Sequence, residues 1–258
     1  MKKKSIILSK IYTYLSIIFI LHGASCNFYQ SPEKKEFTRQ EKLAIKGNPD
    51  AQNWIGNRYA NGDYGVEKNQ TQALFWTQKA ADQGVPDAQY TMGVFYGNGS
   101  GVTQDYKNAF NWYKRCANNG SGYWQAKAQL SLGLMYLEGK GVKPNRGASY
   151  EWCTKAALQG EPAACFYVAS WHTRAGHTSE DQHIAKALLE LSASKGFADA
   201  QYWLALYLWD GTFIEHDQQA SEKWLRKAAE QNHVGAKQLL KLFIAKGKIK
   251  SKSSDSQN

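Results

Sequence analysis

Residues 75–84 read FWTQKAADQG, and this stretch decides the fold because it returns along the chain. Aligned on its tryptophan and closing glycine, W76TQKAADQG84 is followed by W112YKRCANNG120, W152CTKAALQG160 and W224LRKAAEQN232, with a weaker copy at L188LELSASKG196. The anchors at 76, 112, 152, 188 and 224 are spaced 36, 40, 36 and 36, and four extra residues before Ala128, in SGYWQAKA, account for the 40. Seven residues before each anchor stands Asn69, Asp105, Asn145, Asp181 or Asp217. Each is suited to accept an orphan amide at a helix start, so the spacing predicts a helix from that cap to the glycine.

A second pattern precedes each cap: AQNWIGNRYANG, AQYTMGVFYGNG, AQLSLGLMYLEG, ACFYVASWHTRAG and AQYWLALYLWDG. Ala88, Met92, Gly93 and Tyr96 recur on one helical face, and the glycine after them can end the helix with a positive φ. Each unit therefore reads as helix, glycine loop, helix, glycine turn. A helix pair of about 36 residues cannot bury its apolar face alone, which predicts an all-α fold, an α/α solenoid of about five stacked pairs with capping helices, wound as a right-handed superhelix. On this reading Trp76, Ala80, Ala81 and Gly84 stack one unit on the next and form no ligand site. Residues 33–46 read as a leading half-repeat and 234–246 as a closing helix, so the solenoid is expected over 33–246 and a disordered basic tail over 247–258.

The repeated positions, Ala-x-x-x-Leu-Gly-x-x-Tyr, Gly-x-Gly-Val, an Asp or Asn, Trp and Lys-Ala-Ala-x-x-Gly, resemble the Sel-1-like repeat, a relative of the tetratricopeptide repeat. The resemblance covers residues 50–232. The fourth unit departs from it, with HTRAGHTSED (172–181) in place of Gly-x-Gly-Val and Leu188 in place of the tryptophan. The resemblance implies a scaffold for protein binding and names no partner. Small exported members resemble immunity proteins that neutralise periplasmic phospholipase toxins, whereas some cysteine-rich members have been linked to penicillin binding, which leaves a cell-wall amide or β-lactam hydrolase as the alternative.

The formal charge of +10 is unevenly placed. Lys2, Lys3, Lys4 and Lys10 face no acid in the first 25 residues, and four lysines face Asp255 alone in 246–258, which leaves +3 on residues 26–245. Basicity at the ends argues against nucleic acid as a partner of the folded part. The N-terminus has a lysine-rich start, an uncharged apolar run from Ile11 to Leu21 and small residues before Cys26, the layout of a signal peptide over 1–25. That run is 11 residues, short of the roughly 20 that span a bilayer. Gly23-Ala24-Ser25-Cys26 resembles a lipobox with Gly23 where leucine is usual. It implies an exported, periplasmic protein held at the outer membrane by a lipid on Cys26. Cleavage after Ser25, or an uncleaved anchor interrupted by Lys10, stays open.

Four cysteines are present: Cys26, Cys116, Cys153 and Cys165. The family resemblance implies a disulfide from the Lys-Ala-Ala segment to the next helix. Cys165 holds one of those two positions and Ala157 the other, so buried free thiols are expected, with a Cys153–Cys165 bridge as the alternative. His172, His177 and His183 with Glu180 and Asp181 meet no metal-ligand spacing and read as a solvated polar loop. Ser192-Ala-Ser-Lys195 spells Ser-x-x-Lys, but Ser192 aligns with the inward position of Ala80 and the companion motifs are missing. No cofactor, metal or catalytic residue is assigned, and a monomer is expected.

What remains for function is the concave groove expected of such a solenoid, lined by the first helix of each pair, where a partner protein would bind. Positions outside the repeat pattern give Trp54, Arg58 and Asn61; Thr91, Phe95 and Asn98; Ser131, Met135 and Glu138; Tyr167 and Trp171; and Trp203, Tyr207 and Asp210. Exposed aromatics are the stuff of protein interfaces, so Trp54, Arg58, Phe95, Tyr167, Trp171, Trp203 and Tyr207 form the candidate binding set. Phe95, Met135, Trp171 and Tyr207 carry a second reading, in which they pack on the second helix of their own unit.

Overall fold

The computed structural model describes residues 31–173, 178–212 and 214–249, in which twelve helices and no strands occur. The expected signal peptide with Cys26, residues 174–177 with His177, residue 213 and the end from 250 lie outside the described residues. Two compact units are present, one up to Gln83 and one from Gly84. The first holds α1 (Pro32–Ile45), α2 (Pro49–Asn61) and α3 (Gln70–Asp82). Its core is Phe37, Ala44, Ala51 and Ile55, flanked by Trp54, Tyr59, Tyr64 and Trp76.

The second unit holds nine helices: α4 (Pro86–Asn98), α5 (Tyr106–Asn119), α6 (Gly122–Glu138), α7 (Arg146–Leu158), α8 (Pro162–His172), α9 (Ser179–Ser194), α10 (Ala198–Asp210), α11 (Gln218–Glu230) and α12 (Val234–Ala245). These stack as consecutive hairpins, with core clusters shared between neighbouring hairpins, as a solenoid requires. The four-residue insertion lengthens α6 at its N-terminus to 17 residues.

The caps follow the spacing in four of five cases. Asn69, Asp105, Asn145 and Asp217 each accept the amide three residues on, at 2.9–3.0 Å. The fourth is a correction: Thr178, not Asp181, caps α9. Asp181 sits at the third helical position and turns back to accept from the Thr178 amide at 2.9 Å, completing a capping box that starts the helix earlier.

Within a hairpin the two helices approach closely at Gly56, Gly93 and Gly133. A Cβ added at Gly133 would lie 2.4 Å from Cys153 Sγ and 3.2 Å from the Cys153 amide nitrogen and the Ser149 carbonyl oxygen. The facing position, three residues before each anchor, is Ala73, Ala109, Ser149, Ala185 or Ser221, all buried. The two serines donate to the opposing helix, Ser149 to the Gly133 carbonyl and Ser221 to the Ala205 carbonyl, both at 2.7 Å. Their hydroxyls are thus satisfied in the core.

Two further regularities explain repeat positions whose type looked arbitrary. The basic residue three after the tryptophan stacks on its ring: Arg115 on Trp112 at 4.1 Å, Lys155 on Trp152 and Lys227 on Trp224 at 4.4 Å, and Lys79 on Trp76 at 5.6 Å. Residues three apart on a helix share a face, and the cation meets the negative face of the ring. In α9 ring and cation are lost together, as Leu188 and Leu191. The second regularity is a glutamine clamp. Gln201 donates to the Ala193 carbonyl at 3.0 Å and accepts from Gln231 at 2.8 Å, tying three helices; Gln52 with Gln83 and Gln129 with Gln159 repeat the pair at 2.7 Å. Cys165 and Lys195 stand in those places in the fourth hairpin, and Lys195 bonds the Gly160 carbonyl instead, at 2.9 Å.

Folding continues past the sequence boundary at 246. The Lys248 amide donates to Phe243 at 2.8 Å, the Lys248 carbonyl accepts from Gln218, and Ile249 is buried. Lys248, counted in the basic tail, lies over the Trp209 ring at 5.2 Å.

Cys116, Cys153 and Cys165 are buried free thiols, with no Cys153–Cys165 bridge. Cys165 Sγ lies 3.6 Å from the Ala157 carbonyl, beside the position the family resemblance pairs it with. Burial pushes Cys116 up to about 12 and Cys153 to about 11, from 9.0, and raises Cys165. None of the three is expected to react with a disulfide reagent at neutral pH in the native protein, and all three after unfolding. Because the folded values are the raised ones, the unfolded chain deprotonates first. Stability is full below about pH 9 and declines toward pH 11–12, which urea melts across that range would register.

Candidate functional site

The candidate residues are described unit by unit, Trp54 and Arg58 in the first and Phe95, Tyr167, Trp171, Trp203 and Tyr207 in the second. Trp54 and Arg58 are occupied within the first unit. The Arg58 guanidinium stacks 5.1 Å from the Trp54 ring and 5.0 Å from the Tyr64 ring and pairs with Asp63 at 3.1 Å. Phe37 closes on Trp54 at 6.1 Å, so this cluster covers the end of the core. Phe95 departs from the expected exposure: only 6% is accessible, as for Met135, because both side chains turn into the hairpin core. That is the second of the two readings made for them.

Trp171 is half-buried and packs against Tyr150 of α7 at 5.4 Å. Tyr150 belongs to a relay: its hydroxyl meets His172 Nε2 at 2.9 Å, and His172 Nδ1 meets Asp181 Oδ1 at 2.8 Å. This chain ties α7, α8 and α9 together beside the irregular loop, and it gives His172 and Asp181 positioned partners where the sequence suggested a solvated loop. Among the described residues no cluster of His, Cys, Asp and Glu is arranged to hold a metal. Ser192 is fully buried and donates to the Pro162 carbonyl at 2.6 Å, while Lys195 Nζ is bound elsewhere. The Ser-x-x-Lys spelling therefore lacks a reachable nucleophile, as its alignment with Ala80 indicated.

Tyr167, Trp203 and Tyr207 do come together. With Phe166 they wall a cavity of about 350 Å³ between α8 and α10, floored by Ala169 and Leu189. Trp203 is 42% accessible, the one exposed tryptophan among the described residues, and its ring lies 5.9 Å from that of Tyr207. Phe166 is held from behind by Phe197 at 5.4 Å. The two aliphatic hydroxyls on the wall are already used, Ser170 donating to the Tyr167 carbonyl at 2.7 Å and Thr173 to the Ser170 carbonyl at 3.2 Å, which leaves the phenols of Tyr167 and Tyr207 as the polar groups of the lining. Burial raises the Tyr167 phenol, with Asp199 adding to the shift, so the ring stays neutral. The cavity offers aromatic surface and few free donors, the makeup of a site for an apolar group.

The sequence reading passed over Phe166 and Ser170. The signal for Ser170 is in the alignment: Val94, Leu134 and Leu206 hold its place in three other units. A small side chain there leaves the space that larger ones fill elsewhere. Ser170→Leu is expected to fill the cavity, with the melting temperature unchanged or raised by a few degrees, which calorimetry checks; a melt lowered by several degrees would show that the space is not free.

Comparison with known families matches the Sel1 repeat at residues 49–85, 86–121, 126–161, 162–197 and 198–233. No curated protein matches the chain. Among solved structures, a protective antigen of uropathogenic Escherichia coli strains displaying an SLR fold is 30% identical, with a TM-score of 0.69 over 84% of this chain and 46% of that one. A Sel1 repeat protein from Oxalobacter formigenes is 30% identical, with a TM-score of 0.71 over 81% and 59%. The chain thus spans less than two thirds of either. An immunity protein from Pseudomonas aeruginosa shares the fold at 21% identity and a TM-score of 0.52, over 79% and 75%. Five repeat matches across the described residues, on hairpins packed as that repeat demands, establish that the chain belongs to the Sel1 repeat family.

Proposed function

We propose that the protein is a non-catalytic binding module that receives a partner protein at the α8/α10 cavity. The observation that carries this is an aromatic cavity built from positions the repeat does not use, topped by the exposed Trp203. A scaffold keeps its stacking residues buried; aromatics outside the stacking set, gathered at the surface, favour a partner. A photo-crosslinking residue at position 203 is expected to give a discrete adduct in a cell extract, and the same residue at Leu158, 83% exposed at the end of α7, none. Equal labelling from both positions would contradict the proposal.

The finer reading places the protein in the bacterial envelope, anchored through a lipid on Cys26, as an immunity protein against a periplasmic toxic effector. The signal-like N-terminus supports export, and the family resemblance supports the immunity role. Cys26→Ala is expected to release a soluble protein of unchanged helicity into the periplasm. Unaltered processing and membrane association of that variant would replace the lipid by cleavage after Ser25 or an uncleaved anchor.

A further inference from the structure

We infer that the segment received at the α8/α10 cavity is basic and aliphatic: a leucine- or methionine-sized side chain enters the cavity while flanking lysines or arginines meet a carboxylate rim. The inference rests on the docking reading above and adds the chemistry of the occupant.

Cavity and rim select different properties of the occupant. At about 350 Å³, with aromatic walls, with the Ser170 and Thr173 hydroxyls spent on helix carbonyls and with no charged side chain in its lining, the cavity has room for one or two bulky apolar side chains and offers a buried charge no counter-ion. Apart from His172, the acidic and basic side chains that α8 and α10 carry are of one sign. On α10, Asp199, Trp203, Tyr207 and Asp210 follow at intervals of four, four and three, so two carboxylates bracket the two rings on one helical face. Asp199 has half its side chain accessible beside His233, 3.0 Å away, and Asp210 is exposed. Neither α8 nor α10 contains a lysine or arginine. This acidic rim stands out in a chain whose net charge is +10. Complementary charge steers encounter and fixes register, whereas an acidic segment would meet like charge at the same places.

The test uses the intact protein and three synthetic peptides: one with two leucines a helical turn apart among lysines, one with glutamates for the lysines, and one with serines for the leucines. Binding is read by tryptophan fluorescence. The lysine–leucine peptide is expected to bind at least about tenfold more tightly than either of the others, and to weaken as salt rises. Asp199→Asn with Asp210→Asn should weaken it about tenfold and flatten its salt dependence, while the melt falls little, since Asp210 is exposed and the Asp199 contact with His233 is half accessible. Ser170→Leu should remove binding. Equal binding of the glutamate peptide, or indifference to the paired Asp→Asn change, overturns the inference about charge. If no peptide binds but crosslinking from position 203 still yields its adduct, the docking reading stands and the inference falls; if both fail, both fall.

Discussion

Trp112→Ala is expected to destabilise the second unit by about 3–5 kcal/mol, the range for removing a buried large aromatic. Trp112 is 9% accessible and has Arg115 stacked on its ring at 4.1 Å, so the change empties core volume and removes that stacking. A loss of that size lowers the melting temperature by roughly 10 °C or more in a domain of this length. Partner binding at 25 °C should survive in whatever fraction remains folded, because α5 contributes nothing to the α8/α10 cavity. A melt within a degree or two of the parent would mean that the repeating tryptophan does not hold the stack.

Tyr167→Ala with Trp203→Ala is expected to do the opposite. Central aromatics of an interface typically carry about 2 kcal/mol or more each, so the pair should weaken partner binding by a factor on the order of a thousand. Trp203 is 42% accessible and half-buried Tyr167 lies on the cavity wall, so the melt should fall much less than with Trp112→Ala. Calorimetry and titration with the crosslinked partner give both quantities from the same preparations. A collapsed melt would mean that these rings belong to the core.

How far the sequence could be read depended on whether a residue's task is local. Helix caps at Asn69, Asp105, Asn145 and Asp217 are legible because a capping side chain reaches only three residues on. The fourth cap escaped because Thr178 and Asp181 compete for one role and their capping box is decided by backbone direction. Gln201 and Gln231 recur as visibly as the tryptophans, yet their bond joins residues 30 apart, and nothing local reports it. Faces were harder still. Phe95 and Trp203 both fall outside the repeat pattern, but they stand seven and three residues after the leading alanine of their units, and the first of these positions turns into the hairpin while the second turns out of it. The cavity itself was legible only in part: Tyr167, Trp203 and Tyr207 were picked out, while the missing bulk at Ser170 shows only against Val94, Leu134 and Leu206.

On the proposed function, residues which repeat hold the solenoid and residues which do not receive the partner. Incorporating 5-fluorotryptophan and following each fluorine resonance as the crosslinked partner is added separates the two roles. The Trp203 resonance is expected to shift while those of Trp112, Trp152 and Trp224 stay in place. A stationary Trp203 beside a shifting Trp152 or Trp224 would contradict it.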